Sequence, residues 1–198
     1  MSPEKTGRST VATSPTAAGA PPSDAQAACT HRDAFDILAH CHEHILFRLA
    51  ALEETAGALR LQGAWSDALL ASLCDVLVFL DTAIPMHSAD EERSLFPRLR
   101  RCPPFLDHGG DTPMDCMESE HRQHQRLLAA LKRAIMQRDV LATSDAAVAV
   151  VNGYRTHIVK EDEILFPWAR QLLVDPAELA EMTREMRARR EAVSLKSC

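Results

Sequence analysis

The feature that most constrains this chain is the motif His-x3-Glu-x3-Leu-Phe-Pro, which occurs twice, at His87–Pro97 and His157–Pro167. In each copy the histidine and the glutamate are four positions apart, so a helix would carry both side chains on one face. A single buried His–Glu pair is usually a satisfied hydrogen bond. Two copies with the same spacing indicate instead that two helices contribute to one shared site.

Both copies fall within the apolar periodicity that is typical of bundle helices. Core-type residues recur every three or four positions in four segments, and in each segment His, or His and Glu, interrupts the apolar series. The predicted core positions are Leu38, His42, Ile45, Leu49 and Leu52 in the first segment, Leu70, Leu73, Leu77, Leu80, Ile84, His87 and Glu91 in the second, Met114, Met117, His121, His124, Leu128, Leu131 and Ile135 in the third, and Ala147, Val150, Tyr154, His157, Glu161, Ile164 and Trp168 in the fourth.

Capping residues, glycines and prolines predict where the helices begin and end. We expect helices at about 33–60, 66–97, 112–138 and 144–167, and a short fifth helix that opens at Asp175-Pro176. Four helices of this length with short links predict an all-α, up-down-up-down four-helix bundle. The domains are then a disordered tail at 1–30, rich in Ser, Thr, Ala and Pro, the bundle at 31–174, and a C-terminal helix and tail at 175–198.

The fifth helix carries apolar side chains at helical spacing, namely Leu179, Met182, Met186 and Val193. We expect it to pack on the bundle as a lid, with binding of a protein partner as the alternative. The Arg-rich stretch at 184–190 is expected to be a solvated face.

Charge and composition exclude several classes of protein. The net charge of −6 disfavours nucleic-acid binding, which usually requires a basic surplus. No apolar run approaches the roughly 20 residues that span a bilayer, and the N-terminus has no apolar signal region, so we expect a cytoplasmic protein that does not bind membranes. The six cysteines form no Cys-x2-Cys pair and are expected to be free or buried thiols.

The two motif glutamates predict a bound cation. Glu91 and Glu161 both point into the predicted core, and no Lys or Arg lies on the four core stripes to pair with them. An uncompensated carboxylate in a core costs several kcal/mol. Four imidazoles and two carboxylates suit iron, manganese or zinc, and periodicity leaves the metal and the number of ions open.

The order of these residues resembles the hemerythrin-like HHE cation-binding domains over about 33–173. The resemblance implies a left-handed four-helix bundle that holds two non-haem iron ions, bridged by Glu91, Glu161 and an oxo or hydroxo group. It implies that such a site handles or senses O2, nitric oxide, or iron and redox state. The metal ligands that it implies are His42, His87, Glu91, His121, His157 and Glu161.

The sequence departs from the oxygen-carrying members at one position. Those have His-x3-His on the third helix, whereas here Gln125 follows His121 by four. His124 could act as an extra ligand, and we favour a supporting or packing role. The departure favours sensing or redox chemistry over oxygen carriage. We expect a non-catalytic sensor or carrier; the alternative is a di-iron redox enzyme for peroxide removal or iron–sulfur cluster repair, with Tyr154 as the candidate proton donor.

The remaining histidines are interpreted as surface residues. His40, Glu43 and His44 match the His-x2-Glu-His pattern of some zinc peptidases. On a helical wheel, however, both histidines lie roughly 200° from His42 and away from the core stripe. His31 and His108 fall in the tail and in a loop and are expected to be solvated.

Overall fold

The computed structural model of this chain describes residues 33–105 and 111–194. Every regular element within these ranges is helical, which confirms the all-α class. The expectations for the tail at 1–30 and for certain single positions lie outside the described residues. Those positions are Cys29, His31, His108, Cys198 and the side chain of Val193.

Seven α-helices follow one another in the described ranges. They are α1 (Ala34–Gln62), α2 (Asp67–Asp90), α3 (Phe96–Leu99), α4 (Pro113–Met136), α5 (Val140–Lys160), α6 (Phe166–Leu172) and α7 (Pro176–Ser194). A π-helical turn at Glu91–Leu95 joins α2 to α3, and a second one at Glu161–Leu165 joins α5 to α6. A short 3-10 turn at Pro103–Phe105 follows α3.

The helix ends follow from local hydrogen bonding. Asp33 and Asp36 form a reciprocal capping box at the start of α1, and Gly63 ends that helix with a left-handed φ of 65°. Helix α5 begins four residues earlier than the expected start near Ser144. The reason is Asp139, whose carboxylate accepts a hydrogen bond from the backbone N–H of Ala142 and so caps the helix.

Pro85 is accommodated inside α2 without a π turn, whereas Pro97 and Pro167 each lie just after one. A proline inside a helix has no N–H to donate, and its ring clashes with the carbonyl four residues before it. The preceding turn widens at Pro97 and Pro167, so that the N–H of Phe96 donates to the carbonyl of Glu91 and that of Phe166 to Glu161. Such π turns are frequent at functional sites.

The second π turn corrects the predicted core of the fourth segment. One extra residue in a turn rotates all later side chains by about 100° around the helix. Ile164 and Trp168 are therefore 62% and 47% exposed rather than buried, and Leu165 and Phe166 take their places in the core. The predicted stripe was wrong at these two positions because it assumed an unbroken α-helical period.

Two apolar clusters form the interior, and the polar residues of interest lie between them. The first cluster joins α1, α2, α4 and α5 and includes Ile45 and Ile84. The second joins the beginnings of α1 and α4 to α3, α6 and α7 and includes Leu38 and Leu95. His42 follows Leu38 on α1 by one turn and precedes Ile45, so the histidines and glutamates separate the two clusters.

Helix α7 packs against α1 and α2, as expected for a lid. Met182 and Met186 are completely buried in the second cluster, and Leu179 is half-buried. The expectation of a solvated face is wrong for Arg189 and Arg190. Both form ion pairs with the fully buried carboxylate of Asp90.

By length and composition alone, one helix among the described residues, Asp67–Leu99, could cross a membrane. Its most apolar window has a mean hydropathy of 1.8. The core helix of a water-soluble bundle passes the same test, so this finding is weak evidence for a span. The same helix buries His87 and Glu91 inside the protein.

Four cysteines lie in the described ranges, and all four are free thiols, as expected: Cys41, Cys74, Cys102 and Cys116. Burial raises the pKa of Cys41 to about 12, so this thiol is neutral at physiological pH.

Candidate metal centre

Six ligand-type side chains from four helical segments meet in one buried layer, and each exposes 5% of its surface or less. The α1 helix supplies one histidine, α4 supplies another, and each motif segment supplies a histidine and a glutamate. The glutamates are the first residues of the two π turns. The six residues are His42, His87, Glu91, His121, His157 and Glu161.

The first of two ligand groups consists of Glu91, His121, His157 and Glu161. The Nε2 atoms of His121 and His157 are 3.0 Å apart. Nε2 of His157 lies 2.9 Å from Oε1 of Glu161, and Nε2 of His121 lies 3.2 Å from Oε2 of Glu91. All four side chains thus point their ligand atoms at one small volume.

The second group consists of His42, His87 and Glu161. Its two Nε2 atoms are also 3.0 Å apart. Oε2 of Glu161 lies 3.1 Å from Nε2 of His42 and 3.7 Å from that of His87. Glu161 therefore belongs to both groups, with one carboxylate oxygen facing each.

The donor atoms fit cations. Among the described residues, no hydrogen bond reaches any of the four carboxylate oxygens of Glu91 and Glu161, although all four are buried. Buried polar atoms in proteins rarely lack a hydrogen-bond partner. The two Nε2 atoms of each histidine pair lie 3.0 Å apart, close enough for both to bind one ion.

The charges within the layer are unequal. Burial and the nearby charge of Glu161 raise the pKa of Glu91 well above its usual value. Burial acts on Glu161 in the same direction, but the facing imidazoles of His157 and His42 outweigh it and hold its pKa well below the usual value. Without a metal, two carboxylates this close favour one shared proton. A bound cation would compensate both carboxylates, so that the shared proton would no longer be needed.

Three outer carboxylates orient the histidines. Nδ1 of His42 donates to Asp162, Nδ1 of His121 to Glu92, and Nδ1 of His157 to Glu120, each over 2.8 Å. These bonds turn the three Nε2 atoms toward the layer and raise the basicity of the rings. Buried Nδ1 of His87 has no such partner within the described ranges.

The roles of these three acids were not predicted from the sequence. A signal for two of them was present, since an acid directly follows the glutamate in each motif, as Glu91-Glu92 and Glu161-Asp162. Each of these acids reaches the histidine of a helix that lacks the motif. The third, Glu120, precedes His121 but serves His157, which only the packing of α4 against α5 determines.

His124 borders the layer without joining either ligand group. Its ring centroid lies 4.9 Å from that of His157 and 4.3 Å from that of Tyr154. Gly153 leaves room for it, because a Cβ there would lie 3.2 Å from Cδ2 of His124. Gln125, at the position where oxygen carriers have a ligand, is exposed.

Nδ1 of His124 and the hydroxyl of Tyr154 are buried and have no hydrogen-bond partner within the described residues. Burial, followed by the charges of His157 and His121, lowers the pKa of His124 to about 4. Burial likewise raises the pKa of Tyr154. The pair is therefore neutral at physiological pH.

His40 and His44 are half-buried on α1, with ring centroids 4.4 Å apart. Nδ1 of His40 lies 3.4 Å from the exposed carboxylate of Glu43. Neither histidine belongs to the two ligand groups of the buried layer. The peptidase pattern thus has no counterpart in the layer.

Comparisons with known proteins agree with this geometry. The family profile of the hemerythrin HHE cation-binding domain matches residues 33–169. A protein of Haemophilus influenzae (strain ATCC 51907 / DSM 11121 / KW20 / Rd), described only as an uncharacterized protein, is 26% identical over 162 residues, which cover 82% of this chain and 92% of that protein. No solved structure matches the chain. The chain belongs to the hemerythrin HHE cation-binding domain family.

Proposed function

We propose that this protein binds two iron ions side by side and uses them to sense or handle O2, nitric oxide or redox state. The observation that carries the proposal is the shared position of Glu161 between two histidine pairs. One ion would lie at His121 and His157, and the other at His42 and His87. Glu91 and Glu161 would bridge them, since Oε2 of Glu91 lies within 3.5 Å of Nε2 atoms in both pairs.

Iron at this site would supply reversible redox chemistry and coordination positions for a small ligand. The chain itself supplies the rest. Three outer carboxylates fix the ring orientations, and the two apolar clusters exclude bulk water from both sides of the layer. The exposure of Gln125 leaves α4 with one ligand in the layer rather than two, which favours sensing over oxygen carriage.

We also infer the topology of the bundle, its partners and its cellular location. The packing of α1 against α2 and α5, and of α4 against α5, supports an up-down-up-down four-helix bundle. Its left-handed sense is proposed from membership of the family. The net charge of −6 supports a protein without a nucleic-acid partner. A cytoplasmic location and a protein partner at α7 complete the proposal.

Anaerobic iron loading of the full chain tests the metal proposal. We expect about two irons per chain and a large loss in Glu161→Gln, because that carboxylate faces both groups. Glu163→Gln, two positions later and exposed, is the matched control and should keep both ions. Retention of iron by Glu161→Gln, or uptake of zinc alone, would contradict the proposal.

Optical spectra of the iron-loaded protein then distinguish among three candidate functions. A reversible change with O2 would indicate a carrier, and a change with nitric oxide but no turnover would indicate a sensor. Turnover of peroxide would indicate an enzyme.

A redox enzyme is the second candidate, supported by Tyr154. Its buried hydroxyl is unpartnered within the described residues, and its ring contacts His124, which in turn contacts the ligand His157. A neutral phenol that contacts the layer through His124 could donate a proton during peroxide reduction. We expect Tyr154→Phe to keep its iron and to lower any peroxide turnover at least tenfold. General acid–base catalysis typically contributes about a hundredfold or more, so the loss of the donor should be easy to detect. Unchanged turnover would remove Tyr154 from this role.

A further inference from the structure

The C-terminal helix α7 reaches the π turn that carries Glu91. Asp90, directly before Glu91, is completely buried. Nε of Arg189 donates to its Oδ1 over 2.7 Å, and Nη1 of Arg190 donates to its Oδ2 over 2.5 Å. Two guanidinium groups from α7 thus compensate one buried carboxylate at the start of the turn.

The same helix also contacts Ser94, within the turn, and Arg98, in α3. Oγ of Ser94 donates to Glu185 of α7 over 2.5 Å, and Nη2 of Arg98 donates to the other carboxylate oxygen of Glu185 over 2.9 Å. Nη1 of Arg98 donates to the backbone carbonyl of Ser94 over 2.7 Å. Arg189 contacts the hydroxyl of Ser94 as well. Side chains of α7 therefore contact Asp90 directly before the turn, Ser94 within it and Arg98 in α3 after it.

The second motif is supported differently. The position that corresponds to Asp90 is Lys160, directly before Glu161. Lys160 forms an ion pair with Glu120, and Glu120 accepts from Nδ1 of His157. The partner of Lys160 thus lies on α4, within the bundle. The partners of Asp90 lie on α7, beyond the residues 33–169 that match the family.

We propose that Arg189 and Arg190 are positioning residues for the metal ligand Glu91, and that they act through Asp90. The inference rests on the proposed metal-binding function. Without the two arginines, a buried negative charge would remain next to Glu91. The backbone would have to shift to hydrate Asp90, and the π turn would rotate the Glu91 carboxylate out of the ligand layer. Helix α7 is therefore part of the metal site, although it supplies no ligand.

The test compares Arg189→Ala/Arg190→Ala with Arg184→Ala, which removes an exposed arginine of the same helix whose partner is Glu181. After iron loading, release to a chelator should be about tenfold faster in the double variant, as expected for residues that support a ligand. Its optical spectrum should also change. Release from Arg184→Ala should stay within about twofold of the unaltered protein. Equal release rates and identical spectra in all three would overturn the inference.

Two further variants separate positioning from a general loss of stability. Leu59→Ala weakens the first cluster, which α7 does not join, and gives a destabilised protein for comparison. Its spectrum should remain unchanged even if its melting temperature falls as far as that of the double variant. Arg189→Lys/Arg190→Lys keeps both charges and should restore most of the iron retention. A spectrum altered equally in Leu59→Ala, or no rescue by lysine, would contradict positioning.

Hydrogen exchange of the metal-free protein gives a readout that needs no iron. Amides at 91–95 should exchange about tenfold faster in the alanine double variant than in Arg184→Ala, because the turn has lost its support. If the unaltered protein binds no iron, the proposed function fails on its own. If it binds two irons and the double variant matches it in release and exchange, only the role of α7 fails.

Discussion

Nδ1 of His42 donates a hydrogen bond to Oδ1 of Asp162 over 2.8 Å, from α1 to the residue that directly follows Glu161. One short stretch of chain thus supplies a candidate ligand and the group that orients a second ligand on another helix. The first motif repeats the arrangement, because Glu92 directly follows Glu91 and accepts from His121. Each motif therefore supplies a candidate ligand and also orients the histidine of a helix that lacks the motif.

We expect Asp162→Ala and Glu92→Ala each to weaken iron binding about 10- to 100-fold, since each leaves a histidine without its orienting carboxylate. Both variants should fold, because the two acids are exposed. Competition with a calibrated chelator measures the change. Glu163→Ala, an exposed acid of the same π turn, is the control. An effect in Glu163→Ala as large as that in Asp162→Ala would mean that bulk charge, not ring orientation, matters.

The two ion positions should differ in affinity. The group with His121 and His157 contains both glutamates, and carboxylates orient both of its histidines. In the group with His42 and His87, Glu91 lies farther away, 3.5 Å from Nε2 of His87, and Nδ1 of His87 has no partner in the described part of the chain. We expect His87→Ala to retain about one iron per chain and His157→Ala to retain less. Metal analysis after gel filtration checks this, and the reverse order would refute it.

His124 should affect the reactivity of the metal centre without being a metal ligand. We expect His124→Leu to keep both irons and to alter the rate at which the loaded protein reacts with nitric oxide or peroxide. Gly153→Ala offers a second approach, because its Cβ would lie 3.2–3.3 Å from the His124 ring and displace it. Both variants should change the same rate. Loss of half the iron in His124→Leu would show instead that His124 is a ligand.

Most of the fold could be predicted because its signals are local. The caps at Asp33 and Thr112, the glycine at Gly63 and the apolar period each depend on residues within one or two turns. The ligand layer was equally predictable, since a histidine in each core stripe had to face the same interior. These features need no knowledge of which helices are neighbours.

What could not be predicted depends on contacts between distant segments or on an altered helical period. The π turn rotated Ile164 and Trp168 out of the core, and a period of 3.6 residues contains no sign of it. The pairing of Arg189 and Arg190 with Asp90 joins positions about 100 residues apart. An arginine-rich helix end looks solvated until its partner is known.

Iron should stabilise the folded protein measurably. A ligand that binds only the native state adds about 3 kcal/mol when its free concentration is a hundredfold above Kd. We expect a higher melting temperature with ferrous iron under anaerobic conditions, and no shift in Glu161→Gln. Circular dichroism with and without a chelator measures both. A similar shift in Glu161→Gln would place the stabilising ion elsewhere.

The position of the ligand layer between two apolar clusters has a consequence for cooperativity. Each cluster is continuous within itself, and the glutamates and histidines interrupt apolar packing between them. Bound ions would link four helical segments at this layer, whereas without ions only one shared proton and the neighbouring imidazoles would compensate the two carboxylates. We expect calorimetry to show one unfolding transition with iron and two without it. The centre would then decide whether the molecule unfolds as one unit or as two.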